Sequence, residues 1–341
     1  MTNAITHLGR LTELRDREVV DVSLVRAINE LLQPASVAIY RAVGEPEPTA
    51  WQTRARLCAG DATPSADPLW ADLPDLPAID ERSVRAQCLR AGQAVFAPGP
   101  PALSAFPLGS GSINNGVLEV ESARPLSREK RALVNGVLHV YRNLQGLLDY
   151  SERDTLTGLL NRKSFDAAFY RLQADAREMH RLAPDERRSA GSPSQWLGLI
   201  DIDHFKSVND RFGHLIGDEV LLLVSRLMNN CFRLADRLYR FGGEEFVVLL
   251  RSGGEPDAMA AFERFRRTVE EFEMPQAGHI TVSVGFTELR SGDTPSATFE
   301  RADRATYYAK QHGRNQIHSH DALVREGKLQ EDSKSGGVEL F

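Results

Sequence analysis

Two acidic clusters carry the chemistry that this chain can do. In Arg240-Phe241-Gly242-Gly243-Glu244-Glu245-Phe246, two glycines and two adjacent carboxylates stand between a polar strand-like stretch and the apolar run Val247-Val248-Leu249-Leu250. A glycine pair permits the φ > 0 values of a tight two-residue turn, so the segment predicts a β-hairpin with acid at its tip and backbone open to a ligand's phosphate. An ordinary surface hairpin turns more commonly on Asn-Gly or Asp-Gly, and this segment alone leaves both readings open. The second cluster lies about forty residues upstream, where the apolar run Leu197-Gly198-Leu199-Ile200 ends in Asp201-Ile202-Asp203. Carboxylates at the end of a buried strand need partners. A hard divalent cation suits them, because magnesium takes a few carboxylate and backbone oxygens plus substrate phosphates. The alternative is a pair of aspartates that cap the following helix. Beyond them come Lys206, Asn209, Asp210, Gly213, His214, Gly217 and Asp218. Lys206 is a candidate for a phosphate, while Asn209 and Asp218 are the donor and acceptor types that read a purine edge.

The chain around these residues is of ordinary globular composition. Its 341 residues predict two domains, and 42% hydrophobic with 26% charged residues suffices for a core in each. A net charge of -6 argues against nonspecific nucleic-acid binding, which needs a clustered basic surface. Cys58, Cys88 and Cys231 are far apart and form no metal-ligand spacing, as expected of a reduced cytoplasm. Met1 to Glu18 mixes acids, bases and scattered leucines, so neither a signal peptide nor a membrane anchor is expected, and the protein should be soluble.

From Val19 to Ser122 helical and strand patterns alternate. Asp21 to Leu32 reads as a helix, Ser36–Val43 as a strand, Arg54–Cys58 as a weaker strand and Glu81–Arg90 as a helix. Ala94–Phe96, Ala102–Leu108 and Gly116–Val120 read as short strands separated by prolines. This layout, closed by Gly116-Val-Leu-Glu-Val-Glu121 before Pro125-Leu-Ser127, resembles a GAF sensor domain. The signature of that family's cyclic-nucleotide-binding members is absent, so its small ligand stays open. Ser127 to Arg153 contains no proline, and Leu133, Val137, Val140, Leu144 and Leu147 recur with 4-3-4-3 spacing. That is either a dimeric coiled-coil seam or an amphipathic helix packed on its own domain.

The second domain alternates helices with strands: a helix over Ser164–His180, a strand over Trp196–Ile202, a helix over Gly217–Arg233 and a hairpin over Arg237–Leu250. A helix over Pro256–Phe272, a strand pair or bend around Ile280–Leu289 and a helix over Ser296–Gln311 complete it. Between His180 and Gln195 the sequence reads as a polar loop inserted in the domain, and the tail from Ser319 has few apolar residues.

Taken together, Asp154-Thr-Leu-Thr-Gly-Leu-Leu-Asn-Arg162, Asp201-Ile-Asp-His-Phe-Lys-Ser-Val-Asn-Asp210, Phe212-Gly-His-Leu-Ile-Gly-Asp218, Gly242-Gly-Glu-Glu-Phe246 and Tyr308-Ala-Lys-Gln-His-Gly-Arg-Asn315 resemble the ordered motifs of GGDEF-family diguanylate cyclases. Five such motifs in order are specific, whereas any one is weak. The resemblance implies a mixed α/β fold of the α+β kind. Its parts are a GAF-like sheet-and-helix domain (1–124), a helical connector (125–153), a nucleotidyl-cyclase palm-like domain with a mainly antiparallel sheet flanked by helices (154–320) and a mobile tail (321–341).

For the site, the resemblance implies that Asp201, Glu244 and the backbone oxygen of Ile202 hold two Mg2+ or Mn2+ ions, with Glu245 beside them. Asn209 and Asp218 read guanine, and Phe205 and Lys206 belong to the substrate site. Lys310 and Arg314 grip the triphosphate, and Gly242 and Gly243 make room for the nucleotide. The reaction implied is attack of a ribose 3′-hydroxyl on the α-phosphate of a second GTP, giving cyclic di-GMP and pyrophosphate from a homodimer, with Glu244 favoured to take the proton. Arg233-Leu-Ala-Asp236 reads by spacing as a helix-end salt bridge, and by resemblance as an inhibitory site for cyclic di-GMP. Competing expectations are an inactive receptor for GTP or cyclic di-GMP, an enzyme of adenine nucleotides, and a scaffold whose acids are merely solvated.

Overall fold

Residues along β1 (Ser36–Val43) alternate between two faces, and both faces are covered. Val37 and Ile39 enter one core while Ala38, Tyr40 and Ala42 enter another, as the period-two pleat requires. The computed structural model describes residues 17–44, 47–67, 73–109, 116–170, 194–233 and 235–330, and the chain divides into two units, Met1–Ser151 and Glu152–Phe341. In the first, β1 joins β2 (Ala50–Cys58), β3 (Val95–Ala97), β4 (Ala102–Pro107) and β5 (Gly116–Ser122) in an antiparallel sheet of order β2-β1-β5-β4-β3. Helices α1 (Arg17–Leu32) and α3 (Arg128–Glu152) cover one face, and α2 (Val84–Ala91) the other.

The connector helix is part of this first unit. Its buried stripe is Val134, Val137, Leu138, Tyr141, Leu144 and Leu148, which pack into the same core as α1. Of the expected seam, Val137 and Leu144 are inside and Leu147 is 67% exposed. The amphipathic-helix reading therefore describes the inner face, and the seam as spaced is divided between core and surface. Over two heptads the 3.5 and 3.6 periods differ by only a few tens of degrees, so spacing alone could not separate them.

The second unit is a six-stranded sheet of order β13-β12-β7-β9-β8-β6. The strands are β6 (Leu160–Asn161), β7 (Ser194–Ile202), β8 (Arg237–Gly242), β9 (Glu245–Ser252), β12 (Val282–Glu288) and β13 (Ile317–Ser319), with β10 (Glu273–Met274) and β11 (Gly278–His279) forming a separate small hairpin. The three central pairings are antiparallel and the two outer ones parallel. Residues 162–170 are helical (α4), and the remainder of the expected helix to His180, like most of the expected polar loop to Gln195, lies outside the described residues. Around the sheet lie α5 (Phe205–Phe212), α6 (His214–Cys231), α7 (Glu255–Glu271), α8 (Pro295–Gln311) and α9 (His320–Arg325). A Cβ at Gly198 would collide with Phe262 of α7, and one at Gly285 with the backbone of Thr306 in α8. Because Gly285 pairs with Leu199, those glycines let the two helices press on opposite faces of the central strands.

Two expectations change. A single strand, β12, occupies the region expected to hold a strand pair or bend. The chain also stays ordered past residue 320: Leu323 is 2% exposed, and Asp321 accepts hydrogen bonds from Thr287 and Arg290. Residues 331–341 of the expected tail lie outside the described residues.

Candidate active site

The β-ladder brings the two acidic clusters together. Asp201, near the end of β7, faces Glu245 of β9 on one side and Ser283 of β12 on the other. Gly242 pairs with Glu245, so the turn is Gly243-Glu244, and Phe241 is the extra residue of a bulge. The expected glycine turn is thus shifted by one position: Gly243, at φ 52, takes the left-handed corner and Glu244 stands at the tip. Packing accommodates the bulge, since the Phe241 ring stacks on Phe299 and meets Phe165 edge-on. Arg240 holds the turn. Its Nε and Nη2 donate to the Gly243 carbonyl at 3.2 and 2.9 Å, and its Nη1 donates to Asp154 Oδ1 at 3.0 Å. Asp154 also accepts from the Thr157 N–H and hydroxyl; burial pushes its carboxyl up, yet these donors and Arg240 hold it below the usual range.

Asp201 is 5% exposed, and Lys310 Nζ lies 2.6 Å from its Oδ2. Its Oδ1 is buried without a hydrogen-bond partner. Burial raises the Asp201 carboxyl above its ordinary range; Lys310 opposes this, while Asp203 and Asp303 reinforce it. Glu244 and Glu245 are raised as well, by burial first and by the charge of Asp201 next. Acids that raise one another are relieved by a cation. Among the described residues, no cluster of three or more His, Cys, Asp or Glu side chains closes around a metal by itself. Asp201, Glu244 and the Ile202 carbonyl are a partial set of hard oxygens, the kind that Mg2+ or Mn2+ completes with water and phosphate, and the orphaned Asp201 Oδ1 fits such an ion.

Asp203 is different. It is 4% exposed and accepts from Thr281 Oγ1 and Ser283 Oγ, each at 2.7 Å, and from the Asn315 N–H at 2.9 Å. Its oxygens serve the protein through β12 and the turn after α8, so it is a structural acid, though not by the helix capping that the sequence suggests. It does not cap α5: His204, at φ 57, occupies that N-cap and makes no side-chain cap bond.

At the corner between α5 and α6, Gly213 (φ 84) joins the two helices. Asn209 lies against Gly217, where a Cβ would collide with Asn209 Oδ1, and Asp218 follows on the exposed side. The purine-reading candidates therefore share a corner. Lys206, Asp210 and His214 are exposed, but Phe205 packs into the hydrophobic core. At the end of α8, Lys310 reaches Asp201 while Arg314 is exposed, with its N–H donating to the Ala309 carbonyl at 3.0 Å. Farther off, Asp236 Oδ2 accepts the backbone N–H of Arg233 at 2.8 Å, and burial pushes its carboxyl up to about 6. The expected helix-end pair is thus closed through the Arg233 backbone N–H, while the Arg233 side chain is exposed and its charge opposes the effect of burial on Asp236. Three contributors carried no assigned role in the sequence: Asp154 and Asn315 stand within recognisable motifs, whereas Arg240 adjoins one.

Residues 151–316 match the family described as "Diguanylate cyclase, GGDEF domain". Diguanylate cyclase A of Treponema denticola is 40% identical over 135 residues, 38% of this chain and 36% of that protein. Diguanylate cyclase DgcZ of Escherichia coli is 36% identical over 168 residues, 48% of this chain and 52% of that protein. The crystal structure of the GGDEF domain of DgcB from Caulobacter crescentus in complex with c-di-GMP is 32% identical, with a TM-score of 0.44 over 50% of this chain and 96% of that one. The chain thus spans about half or less of the length of these curated relatives. By the family match, residues 151–316 are a GGDEF domain of the diguanylate cyclase family.

Proposed function

We propose that this protein is a diguanylate cyclase that condenses two GTP into cyclic di-GMP and pyrophosphate. The observation that carries the reading is Asp201: a buried carboxylate with an orphaned oxygen, crowded by Glu244 and Glu245 and paired, among the described residues, with Lys310. Asp201, Glu244 and the Ile202 carbonyl hold two Mg2+ or Mn2+ ions, which when bound neutralise charge on the transferring phosphoryl group and ease deprotonation of the hydroxyl. Asn209 and Asp218 orient guanine, and Lys206, Lys310 and Arg314 bind the polyphosphate. Gly242 and Gly243 leave space over the turn. Glu244 accepts the 3′-hydroxyl proton at its carboxylate, and Glu245 supports the site from the paired strand.

One domain offers one such site, so the reaction requires a homodimer that turns two sites toward each other. The first unit is a GAF-like sensor of a small ligand, α3 passes its state onward, and Arg233 with Asp236 binds product as an inhibitor. The setting is the cytoplasm; among the described residues no helix is long and apolar enough to cross a membrane. The test is incubation of purified protein with GTP and Mg2+, then with ATP, and chromatography of the products. Cyclic di-GMP from GTP alone is expected. Absence of both pyrophosphate and cyclic dinucleotide would falsify the enzyme reading, and an adenine product would redirect it. In the same protein, Arg233→Ala is expected to weaken cyclic di-GMP binding, and unchanged affinity removes the inhibitory site.

A further inference from the structure

After α8 three consecutive residues lie at positive φ: Gly313 at 120°, Arg314 at 63° and Asn315 at 47°. Glycine does this freely, but an arginine and an asparagine must be held there. Asn315 is held on every side. Its backbone N–H donates to Asp203 Oδ2 at 2.9 Å, its Nδ2 donates to Glu270 Oε1 at 2.7 Å, and its Oδ1 accepts from Arg266 Nη1 at 2.6 Å. Arg266 in turn is fixed by Glu263, through Nε and Nη2 at 2.9 Å each, and by Glu270 at 2.8 Å. Asp203 is pinned from the other side by Thr281 and Ser283.

The ties form a closed ring. Lys310 joins the end of α8 to Asp201 of β7, and Asn315 joins the turn after α8 to Asp203, just past the end of the same strand. Arg314 sits inside that ring, between the two ties, with its own side chain exposed. We propose that Asn315, locked by Arg266 and Glu270, is a positioning residue that fixes the left-handed turn and so sets the reach of Arg314 and Lys310 toward the phosphates of a nucleoside triphosphate. The inference rests on the reading of Lys310 and Arg314 as the polyphosphate grip.

Full-length Asn315→Ala, Asn315→Gly and Arg266→Met decide it, through equilibrium binding of GTP and of GMP with Mg2+, together with KM and kcat. Asn315→Ala and Arg266→Met are expected to weaken GTP binding and raise KM about tenfold, with GMP affinity and kcat changed by less than about twofold. Asn315→Gly adopts the turn without strain and keeps the N–H to Asp203, so it recovers most of the lost GTP affinity. Equal losses for GTP and GMP would indicate general damage and overturn the proposal. So would parent-like GTP binding in the Ala and Met variants, or a Gly variant as weak as Ala, which would mean direct contact by the asparagine side chain. A parent protein that binds GTP but makes no cyclic dinucleotide refutes the cyclase reading alone, and the GTP-to-GMP difference still judges the turn. A parent that binds neither nucleotide refutes both.

Discussion

Among the described residues, Asp21 in the first unit and Asp201 and Asp203 in the second are almost wholly buried, and Asp21 and Asp201 differ most in the charge around them. Asp21 in α1 receives the Tyr141 hydroxyl at 2.6 Å and the Gln145 amide at 3.5 Å, and its other oxygen lies 3.6 and 3.9 Å from the guanidinium groups of Arg54 and Arg41. Asp201 meets one lysine, and the other charges acting on it, Asp203 and Asp303, carry its own sign. Each keeps one oxygen without a hydrogen bond, but two guanidinium groups stand beside that oxygen of the first acid, whereas further acids crowd the second. A buried ion pair that is complete reads as architecture, whereas an incomplete one reads as a place for something that arrives later.

Breaking the contrast at its functional end gives the largest effect. Asp201→Asn is expected to cut cyclic di-GMP formation by about a thousandfold or more. Its folded-state carboxyl is held above the ordinary range, so the fold favours the uncharged form, and the asparagine variant should melt no lower than the parent at neutral pH. Product assay and thermal unfolding on one preparation check both halves; a marked drop in melting temperature would make Asp201 a structural acid like Asp21. At the other end, Asp21→Ala strands Arg41 and Arg54 beside a lost partner and should destabilise the first unit by about 3 kcal/mol. Urea unfolding that follows the first unit's transition measures it, and a loss well below about 1 kcal/mol would erase the distinction.

A smaller effect comes from Gly217→Ala. The new methyl group displaces the Asn209 carboxamide, so GTP affinity should fall about tenfold while discrimination against ATP narrows, as competition binding will read. The smallest sharpens the comparison with a third acid. Asp236 accepts a backbone N–H and is pushed up to about 6, so its contribution to stability is present at low pH and is lost as pH rises from about 4 through about 6. Asp236→Asn keeps the acceptor and removes the charge. It should add about 1 kcal/mol at about pH 7.5 and close to nothing at about pH 4.5, by chemical unfolding at the two pH values. An equal gain at both would show that charge is not the cost.

The parts that sequence made legible are those whose meaning is local. Asp201-Ile-Asp203 after an apolar run, a glycine pair before Glu244-Glu245, and Lys310 with Arg314 four residues on are each readable, and the ladder brings the first two together, while the turn beyond α8 that carries Arg314 is not. What stayed hidden depends on long-range pairing. Nothing near Asp203 distinguishes it from Asp201, because its partners Thr281, Ser283 and Asn315 lie roughly eighty to a hundred and twelve residues away. The Phe241 bulge follows from how β8 registers on β9, which moved the turn by one residue. Phe205, marked for substrate, is apolar enough to serve a core, and there it sits. The face that α3 buries was set by α1 and the sheet, which a heptad count cannot see.

The lysine on Asp201 has a consequence for selectivity among competing ions. Because Lys310 is tethered, its ammonium occupies Asp201 Oδ2 at high effective concentration and leaves Oδ1 as the oxygen open to an incoming cation. A metal that comes with a polyphosphate offers that ammonium another anion to turn to. On the proposed reading, the second carboxylate oxygen therefore opens only when metal and polyphosphate arrive together.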